Sequence, residues 1–363
     1  MTIGRGIVRR LQSPHVLLGV MAALAVLSAA VLASGCNRGS ATTPRVSRQG
    51  SHVLVVAVGP GVLVSHDGGV SWSQLQERAA APVRHVVVSV SSRVYATSTS
   101  RLLTRNSDGD PTWTSHDAPR GFQAACVAPV SDGSVLVGGT EEGHARLLAT
   151  TNGGATWHRL SLDGSMHCVY AIASASRGHL WVVGSEGSPL PSAIEFSSDG
   201  GQKWTVQRTD PGSSWYGAVF ADVKSGWVVG RDTAQNVGVV IRTDDGGLVW
   251  NRTTVSSVAG LTSVACSDSR HVWMVGNDAS GTEAVVLSSV DGGAIWEKHS
   301  LPALSAKESV TGVCAADSTH VWVSGAAGKK GIVLYSHDGG KTWHVQASLV
   351  TSPLLLGIAC SHS

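Results

Sequence analysis

Phenylalanine, tyrosine and charged residues are all scarce in this chain, and each scarcity narrows what the protein can be. Only 3 Phe and 4 Tyr stand beside 12 Trp and 43 Gly in 363 residues, and 14% of the residues are charged. A residue type used so selectively usually recurs at one position of a repeated unit. The formal net charge of +2 gives no basic footprint of the kind that marks a nucleic-acid binder. We therefore expect a repeat protein without a nucleic-acid partner.

The spacings that mark metal sites are also missing. The 15 histidines and 6 cysteines form no His-x-x-x-His or Cys-x-x-Cys pair. Four histidines directly precede a predicted strand, which indicates a role in turns: His52, His179, His271 and His320. We expect no metal and no cofactor.

Cysteine use leaves two alternatives open. Apart from Cys36, the cysteines all fall in predicted innermost strands: Cys126, Cys168, Cys266, Cys314 and Cys360. An odd number excludes complete pairing within one chain. They are either buried thiols that act as small apolar residues or include a disulfide from Cys314 to Cys266 or Cys360.

The N-terminus has the pattern of an export signal. Arg5, Arg9 and Arg10 precede the uncharged apolar run 16–33, and Leu-Ala-Ser-Gly-Cys follows at 32–36. This run resembles the bacterial lipobox, which implies a signal peptide over 1–35, a lipidated Cys36 and a polar tether over 36–51. Removal of the leader takes three of the 27 basic residues and leaves 24 against 25 acidic ones. The alternative is an uncleaved membrane anchor; both place the remainder outside the cytoplasm, held at the membrane.

One eight-residue motif recurs along the rest of the chain. It reads Ser/Thr-x-Asp/Asn-Gly-Gly-x-x-Trp, with a degraded copy at 106–113. The acidic or amide residue of each copy is Asp67, Asp108, Asn152, Asp199, Asp245, Asp291 or Asp338. Successive intervals are 41, 44, 47, 46, 46 and 47 residues, a period typical of a four-stranded propeller blade.

The motif is chemically suited to a tight turn. The Asp side chain accepts hydrogen bonds from backbone N–H groups just ahead of it, and Gly supplies a positive φ. The Trp three residues later covers the hairpin with a large apolar face. We therefore interpret the seven acids and amides as turn staples and not as catalytic carboxylates.

The segments between the turns predict strands and a closed ring. Four units carry a Trp-x-Val/Ser-Gly strand upstream of the turn, as in 181–184 and 227–230, and nothing after residue 37 has a sustained helical period. The first unit begins at Val53 without an innermost strand, whereas 354–361 repeats the innermost-strand pattern of 261–267. The sequence predicts an all-β fold, a single seven-bladed propeller over 52–363 with four-stranded antiparallel blades, closed by the C-terminal strand completing blade one.

The turn resembles the Asp-box, or bacterial neuraminidase repeat, of sialidases, sortilin and xyloglucanases. With Trp-x-Val-Gly strands in most blades, residues 52–363 are most similar to the photosystem II stability and assembly factor family of propellers. This resemblance implies the fold and favours a binding or assembly role without catalysis. It does not name the partner.

Catalysis is the alternative function. A sialidase uses an Arg-Ile-Pro arginine and a Tyr nucleophile with a Glu partner, but no Arg-Ile-Pro occurs here. Tyr170 and Tyr216 have no evident carboxylate partner in the sequence. A glycoside hydrolase would instead need two facing acids, and nothing in the sequence fixes such a pair.

A ligand is expected at the end of the propeller opposite the Asp turns, where the innermost strands begin. The candidate binding residues there are Arg84, His85, Arg120, Phe122, His167, Trp215, Tyr216 and Glu308. Trp215 is outside the repeat and is either an exposed aromatic anchor or a filler beside Tyr216. Five arginines between 78 and 105 form a second candidate, either a docking patch or a solvated face. We expect a monomeric scaffold that binds a protein or a glycan.

Overall fold

The computed structural model describes residues 53–361 except 76–81, 107–111, 132, 165, 177, 186–190, 303–307 and 350–353. The predicted leader, Cys36 and the tether lie outside the described residues, and so does Asp108. None of the residues described is part of a helix that could cross a membrane.

Seven antiparallel sheets of four strands each form the fold, which confirms the predicted propeller. Blade one consists of β28 Gly357–Cys360, β1 Val55–Val58, β2 Val62–Ser65 and β3 Ser73–Leu75. Blade two consists of β4 Val83–Val88, β5 Val94–Ser98, β6 Arg101–Arg105 and β7 Thr114–Asp117. Blade three consists of β8 Phe122–Ser131, β9 Ser134–Glu141, β10 His144–Thr150 and β11 His158–Leu160. Blade four consists of β12 Cys168–Ser176, β13 His179–Ser185, β14 Ser192–Ser197 and β15 Thr205–Asp210. Blade five consists of β16 Ser213–Phe220, β17 Gly226–Asp232, β18 Val237–Thr243 and β19 Asn251–Val255. Blade six consists of β20 Val258–Cys266, β21 Val272–Asp278, β22 Ala284–Ser289 and β23 Glu297–His299. Blade seven consists of β24 Glu308–Ala315, β25 Val321–Ala327, β26 Lys330–Ser336 and β27 His344–Leu349.

The C-terminal strand closes the ring, as the sequence predicts. β28 pairs antiparallel with β1 so that Cys360 lies opposite Val55 and Gly357 opposite Val58. Leu54 and Ser361 extend this pairing through two further hydrogen bonds. Blade one is therefore assembled from both ends of the described chain.

Burial on both faces explains why the inner strands are continuous apolar runs. The second strands of blades five to seven each carry a tryptophan that is at most 1% exposed, at Trp227, Trp273 and Trp322. Valine and alanine fill the positions around them, because β-branched and small side chains pack well between closely stacked sheets. The core thus lies between the blades.

The two ends of the propeller differ in their connections. At the turn end lie the Asp turns, between the third and fourth strands, and the links between the first and second strands. These two loop types are joined by hydrogen bonds such as Gly246 N–H to the Lys224 carbonyl (2.9 Å). At the crossover end lie the links between the second and third strands and the passages from one blade to the next.

Each described Asp turn is closed by its own side chains. In blade one Ser65 Oγ donates to Asp67 (2.7 Å) and accepts from Gly69 N–H (2.6 Å), while Ser71 N–H donates to Asp67 (2.9 Å). Hydrogen bonds from the Ser71 side chain and backbone lower the pKa of Asp67 to about 2. Gly68 and Gly69 have φ of 68° and 90°, a conformation that favours glycine.

The strand tryptophans join each blade to the next one. The indole N–H of Trp227 donates to the Gly292 carbonyl at 2.9 Å, and that of Trp273 donates to the Gly339 carbonyl at 2.8 Å. Both acceptors belong to the Asp turn of the following blade. In blade four the side-chain amide of Gln207 donates to the equivalent acceptor, the Gly246 carbonyl. The Trp181 indole N–H has no hydrogen-bond partner in the described part of the chain. The two sequence signatures therefore meet across blade boundaries.

This pairing predicts unequal effects of the same substitution. Trp273→Phe removes the donor to Gly339 and leaves that carbonyl unpaired, whereas Trp181→Phe removes an indole that donates to none of the described residues. We expect Trp273→Phe to lower the free energy of unfolding by about 1–3 kcal/mol more than Trp181→Phe. Urea unfolding of both variants measures the difference, and equal losses would show that the indole N–H contributes nothing.

The five described cysteines are buried free thiols in innermost strands. Burial raises the pKa of Cys168 to about 12 and that of Cys314 well above its usual value. These side chains are therefore protonated and pack as small apolar groups.

Candidate functional site

A β-bulge interrupts the innermost strand of six blades at the same register position. At that position in each of these blades, one residue of the innermost strand has no pairing partner on the second strand. These residues are Arg84, Ala125, Tyr170, Tyr216, Thr262 and Thr311. In blade one Leu356 holds the equivalent position, since Gly357 resumes the pairing opposite Val58. A bulge turns its extra side chain away from the sheet. We call these seven residues the bulge ring.

The glycine that ends the second strand makes room for this bulge. A Cβ on Gly230 would collide with the Ser214 carbonyl, and one on Gly276 would collide with the Gly260 carbonyl. The Trp-x-Val-Gly pattern therefore ends in glycine because the bulged strand lies against it.

Residues of the bulge ring contact neighbouring blades. The rings of Tyr170 and Tyr216 meet edge to face with centroids 6.1 Å apart. Thr311 Oγ1 donates to the Leu355 carbonyl at 2.7 Å. Because the innermost strands enclose the central channel of a propeller, these side chains line that channel near the crossover end.

Arg84 provides the positive charge of the bulge ring. Its side chain is exposed, and among the described residues no carboxylate forms an ion pair with it. Its positive charge lowers the pKa of Cys168 in blade four slightly, against the larger rise that burial causes. The ring therefore combines one arginine with two half-buried tyrosines.

Two more predicted residues lie near the crossover end. Arg120 is exposed in the passage from blade two to blade three. His167 is half-buried, and its Nδ1 lies 3.0 Å from the Gly143 carbonyl. Neighbouring arginines are neutralised, Arg101 by Asp117 at 2.7 Å and Arg159 by Glu141 at 2.8 Å. Glu308 begins β24 opposite Ala327.

Three predicted binding residues lie in the interior and are removed from the site. Trp215 is 0% exposed, His85 1% and Phe122 3%. Trp215 was outside the repeat in the sequence, but the register gives it a repeated position. It directly precedes the bulge, as do Val169 and Leu261, which are equally buried. Of the two roles considered for Trp215, exposed anchor or filler, the structure shows the filler.

His85 joins two blades and does not face a ligand. It directly follows the bulge residue Arg84, and its Nδ1 accepts a hydrogen bond from Val127 N–H of blade three at 3.3 Å. Burial lowers the pKa of His85 to about 3, so the ring is neutral. Ser263 occupies the same position in blade six and accepts from Val313 N–H.

The arginine run of blade two does not form one patch. Arg84 and Arg101 lie toward the crossover end, whereas Arg93 and Arg105 lie toward the turn end. Arg105 is 7% exposed, and Arg78 lies outside the described residues. The strand direction alternates along the sequence, which separates charges that are close in the chain.

Tyr170 is the site residue that sequence reasoning placed outside the binding set. An alignment of the innermost strands could have identified it, because Tyr170 and Tyr216 stand at equivalent positions of adjacent innermost strands. In the described ranges no group of three His, Cys, Asp or Glu side chains is arranged to hold a metal ion. The bulge ring offers a guanidinium, phenols and hydroxyls, which are groups that bind carboxylates and peptide carbonyls.

Known proteins share the fold with this chain. Residues 250–356, less than a third of the chain, match the family model described as photosynthesis system II assembly factor YCF48. The structure of YCF48 bound to D1 peptide is similar with a TM-score of 0.53 and 19% identity, over 73% of this chain and 82% of that one. YCF48 from Cyanidioschyzon merolae gives 0.54 and 16%, over 76% and 88%.

Enzymes share the same architecture. The GH74 xyloglucanase from Xanthomonas campestris is similar with a TM-score of 0.55 and 17% identity, over 76% of this chain and 46% of that one. A search of curated protein sequences finds no match. At these identities the structural likeness shows the fold alone. The chain is thus a seven-bladed β-propeller whose C-terminal blades resemble the photosystem II assembly factor YCF48 family.

Proposed function

We propose that this chain is a non-catalytic scaffold that binds a protein partner at the crossover end of the propeller. A peptide segment of the partner enters the channel mouth and contacts Arg84, Tyr170 and Tyr216. The observation that carries the proposal is the bulge ring, in which an arginine without a described acidic partner shares one register position with two tyrosines whose rings contact each other.

The chemistry of these groups favours a peptide. A guanidinium binds carboxylates and carbonyl oxygens with several donors at once. Tyrosine offers an apolar face and a hydroxyl with little loss of side-chain entropy, which is why it is common at protein interfaces. Trp215, the expected aromatic anchor, is buried, so Tyr170 and Tyr216 are the aromatic side chains of this site.

Two further features support a protein partner. The C-terminal blades match an assembly-factor family, and a YCF48 propeller has been solved bound to D1 peptide. The export signal predicted over residues 1–35 and the lipid on Cys36 would place the propeller outside the cytoplasm, held at the membrane. The proposed scaffold acts there.

Peptide selection tests the assignment and does not require the partner to be identified first. A displayed library of random peptides is panned against the protein, and the dissociation constants of the enriched peptides are measured. We expect Arg84→Ala to weaken binding by about 10- to 100-fold, because one charge-assisted hydrogen bond contributes about 1.5–3 kcal/mol. Tyr216→Ala should weaken the same peptides.

Arg270→Ala is the matched control. Arg270 is also exposed but lies at the turn end, beside the Asp turn of blade six. Its removal should leave every dissociation constant unchanged. Peptides that bind the Arg84→Ala variant as tightly as the parent protein would refute the site.

The catalytic alternative has its own test. We expect no sugar release from fluorogenic sialosides or glucans. Turnover that is lost in Tyr216→Phe would instead assign the channel mouth to a hydrolase.

A further inference from the structure

Among the described residues, the large apolar side chains that are exposed all lie at one end of the propeller. In the described part of the chain eight large apolar residues are exposed, and all eight lie at or beside the turn end: Val70, Val90, Val223, Leu248, Val249, Val290, Ile295 and Val345. Scattered apolar residues are normal on a surface, but neighbouring exposed apolar residues that form one patch mark a contact with a partner or a membrane.

Most of this set is concentrated on two adjacent blades. Leu248 is 84% exposed at the tip of the Asp turn of blade five, and Ile295 is 73% exposed at the tip of the next turn. A Cβ on Gly292, in that second turn, would contact the Arg242 guanidinium of blade five, so the two turns are neighbours. Val223, Leu248, Val249, Val290 and Ile295 form what we call the apolar tips.

The chain enters the propeller at this same end. Val53 accepts a hydrogen bond from Gly68 N–H, inside the Asp turn of blade one. Sixteen residues separate Val53 from Cys36, the predicted lipidation site. A polar linker of that length has a root-mean-square span of about 20 Å. A nine-residue strand such as β20 is about 30 Å long, so a lipid on Cys36 keeps the turn end nearer the membrane than the crossover end.

We propose that the turn end docks on the lipid surface through the apolar tips, with the channel mouth directed away from the membrane. This proposal rests on the predicted lipid at Cys36 and is independent of what the crossover end binds. Apolar side chains at a membrane interface are stabilised by burial among the headgroups and the first carbons of the acyl chains.

Burial of apolar surface and not charge drives this contact. The exposed positive side chains at the turn end, such as Lys203 and Lys224, are accompanied by Asp222, Asp244 and the Asp-turn carboxylates. Arg242, which lies between the apolar tips, is paired with Asp244 at 2.6 Å. The surface therefore has no excess positive charge for anionic lipids, and docking should be insensitive to salt.

Fluorescence quenching on vesicles tests the orientation. The full chain, purified from membranes and shown by intact mass to carry lipid, is inserted in phosphatidylcholine vesicles that contain a nitroxide-labelled lipid. A fluorophore is attached through Ala294→Cys, next to Ile295, or through Gln235→Cys, which is exposed on blade five at the crossover end. The buried native thiols do not compete for the label.

We expect strong quenching at position 294, weak quenching at 235, and no change between low and high salt. A Leu248→Ser, Val249→Ser and Ile295→Ser variant should reduce quenching at 294 to the level at 235, and its thermal unfolding should match the parent because these side chains are exposed. Equal quenching at both positions in the parent, or a chain without lipid at Cys36, would overturn the proposal. Loss of peptide binding at the channel mouth would leave it standing.

Discussion

Removal of residues 354–363 is expected to abolish the cooperatively folded monomer. The deletion takes away β28 and exposes the whole inner edge of β1, whose residues Val55–Val58 are all 0% exposed in the closed ring. Without β28 this edge of β1 has no pairing partner, and an unpaired apolar sheet edge favours aggregation. Far-ultraviolet and near-ultraviolet circular dichroism, with gel filtration, measure the loss.

The size of this effect follows from what β28 buries. Leu355 is 1% exposed and Ile358 0% exposed, and each buried side chain of this size contributes about 1.5–3 kcal/mol. The antiparallel ladder from Val55–Cys360 to Val58–Gly357 is lost as well. Together these terms approach the whole stability of an ordinary domain, about 5–15 kcal/mol.

A two-residue deletion is the matched control. Removal of residues 362 and 363 leaves Ser361, which bonds to Leu54 on both its backbone N–H and its hydroxyl. This variant should keep the parent unfolding midpoint. If the 354–363 deletion also kept that midpoint, the ring would not depend on its C-terminal strand.

Acid should weaken the interface between blades two and three through His85. The folded pKa of His85 is about 3 against an ordinary value of 6.5, because the ring is buried. Between pH 6.5 and about pH 3, His85 therefore binds a proton in the unfolded chain but not in the folded chain. Stability is fully present above pH 6.5 and is lost as the pH falls toward 3.

The loss is large within an accessible range. One pKa unit corresponds to about 1.4 kcal/mol, so the change from pH 7 to pH 4.5 should lower the free energy of unfolding by roughly 3 kcal/mol through this group alone. Urea unfolding at pH 7, 5.5 and 4.5 measures the dependence.

His85→Asn isolates this contribution. The Asn side chain keeps an acceptor near the Nδ1 position for Val127 N–H but does not titrate. The variant should lose roughly 3 kcal/mol less than the parent between pH 7 and pH 4.5. Replacement of the exposed His66 by Asn should leave the parent's dependence in place. Identical pH curves for the parent and His85→Asn would show that His85 does not sense acid.

The fold was predictable because its signals repeat. Each Ser-x-Asp-Gly-Gly-x-x-Trp copy fixes one hairpin by local hydrogen bonds, and local geometry does not depend on the rest of the chain. The equivalence of 354–361 with 261–267 then determined how the ring closes, and the pairing of β28 with β1 confirms it.

The site was less predictable because exposure depends on register. A one-residue difference separates Trp215, inside the core, from Tyr216, in the channel. The sequence shows both aromatics but not the bulge that turns one of them away from the sheet. An alignment of all seven innermost strands would have placed His85 with Ser263 and Gly312, which are small residues against the next blade.

Cross-linking tests most directly whether the partner binds at the crossover end. A photoreactive benzoylphenylalanine replaces Tyr216 in the channel or Val70 at the turn end, two exposed or half-exposed positions on opposite ends. Each protein is irradiated with a peptide selected for binding to the parent. We predict a cross-link to the peptide from position 216 and none from position 70. A cross-link from position 70 alone would contradict the account.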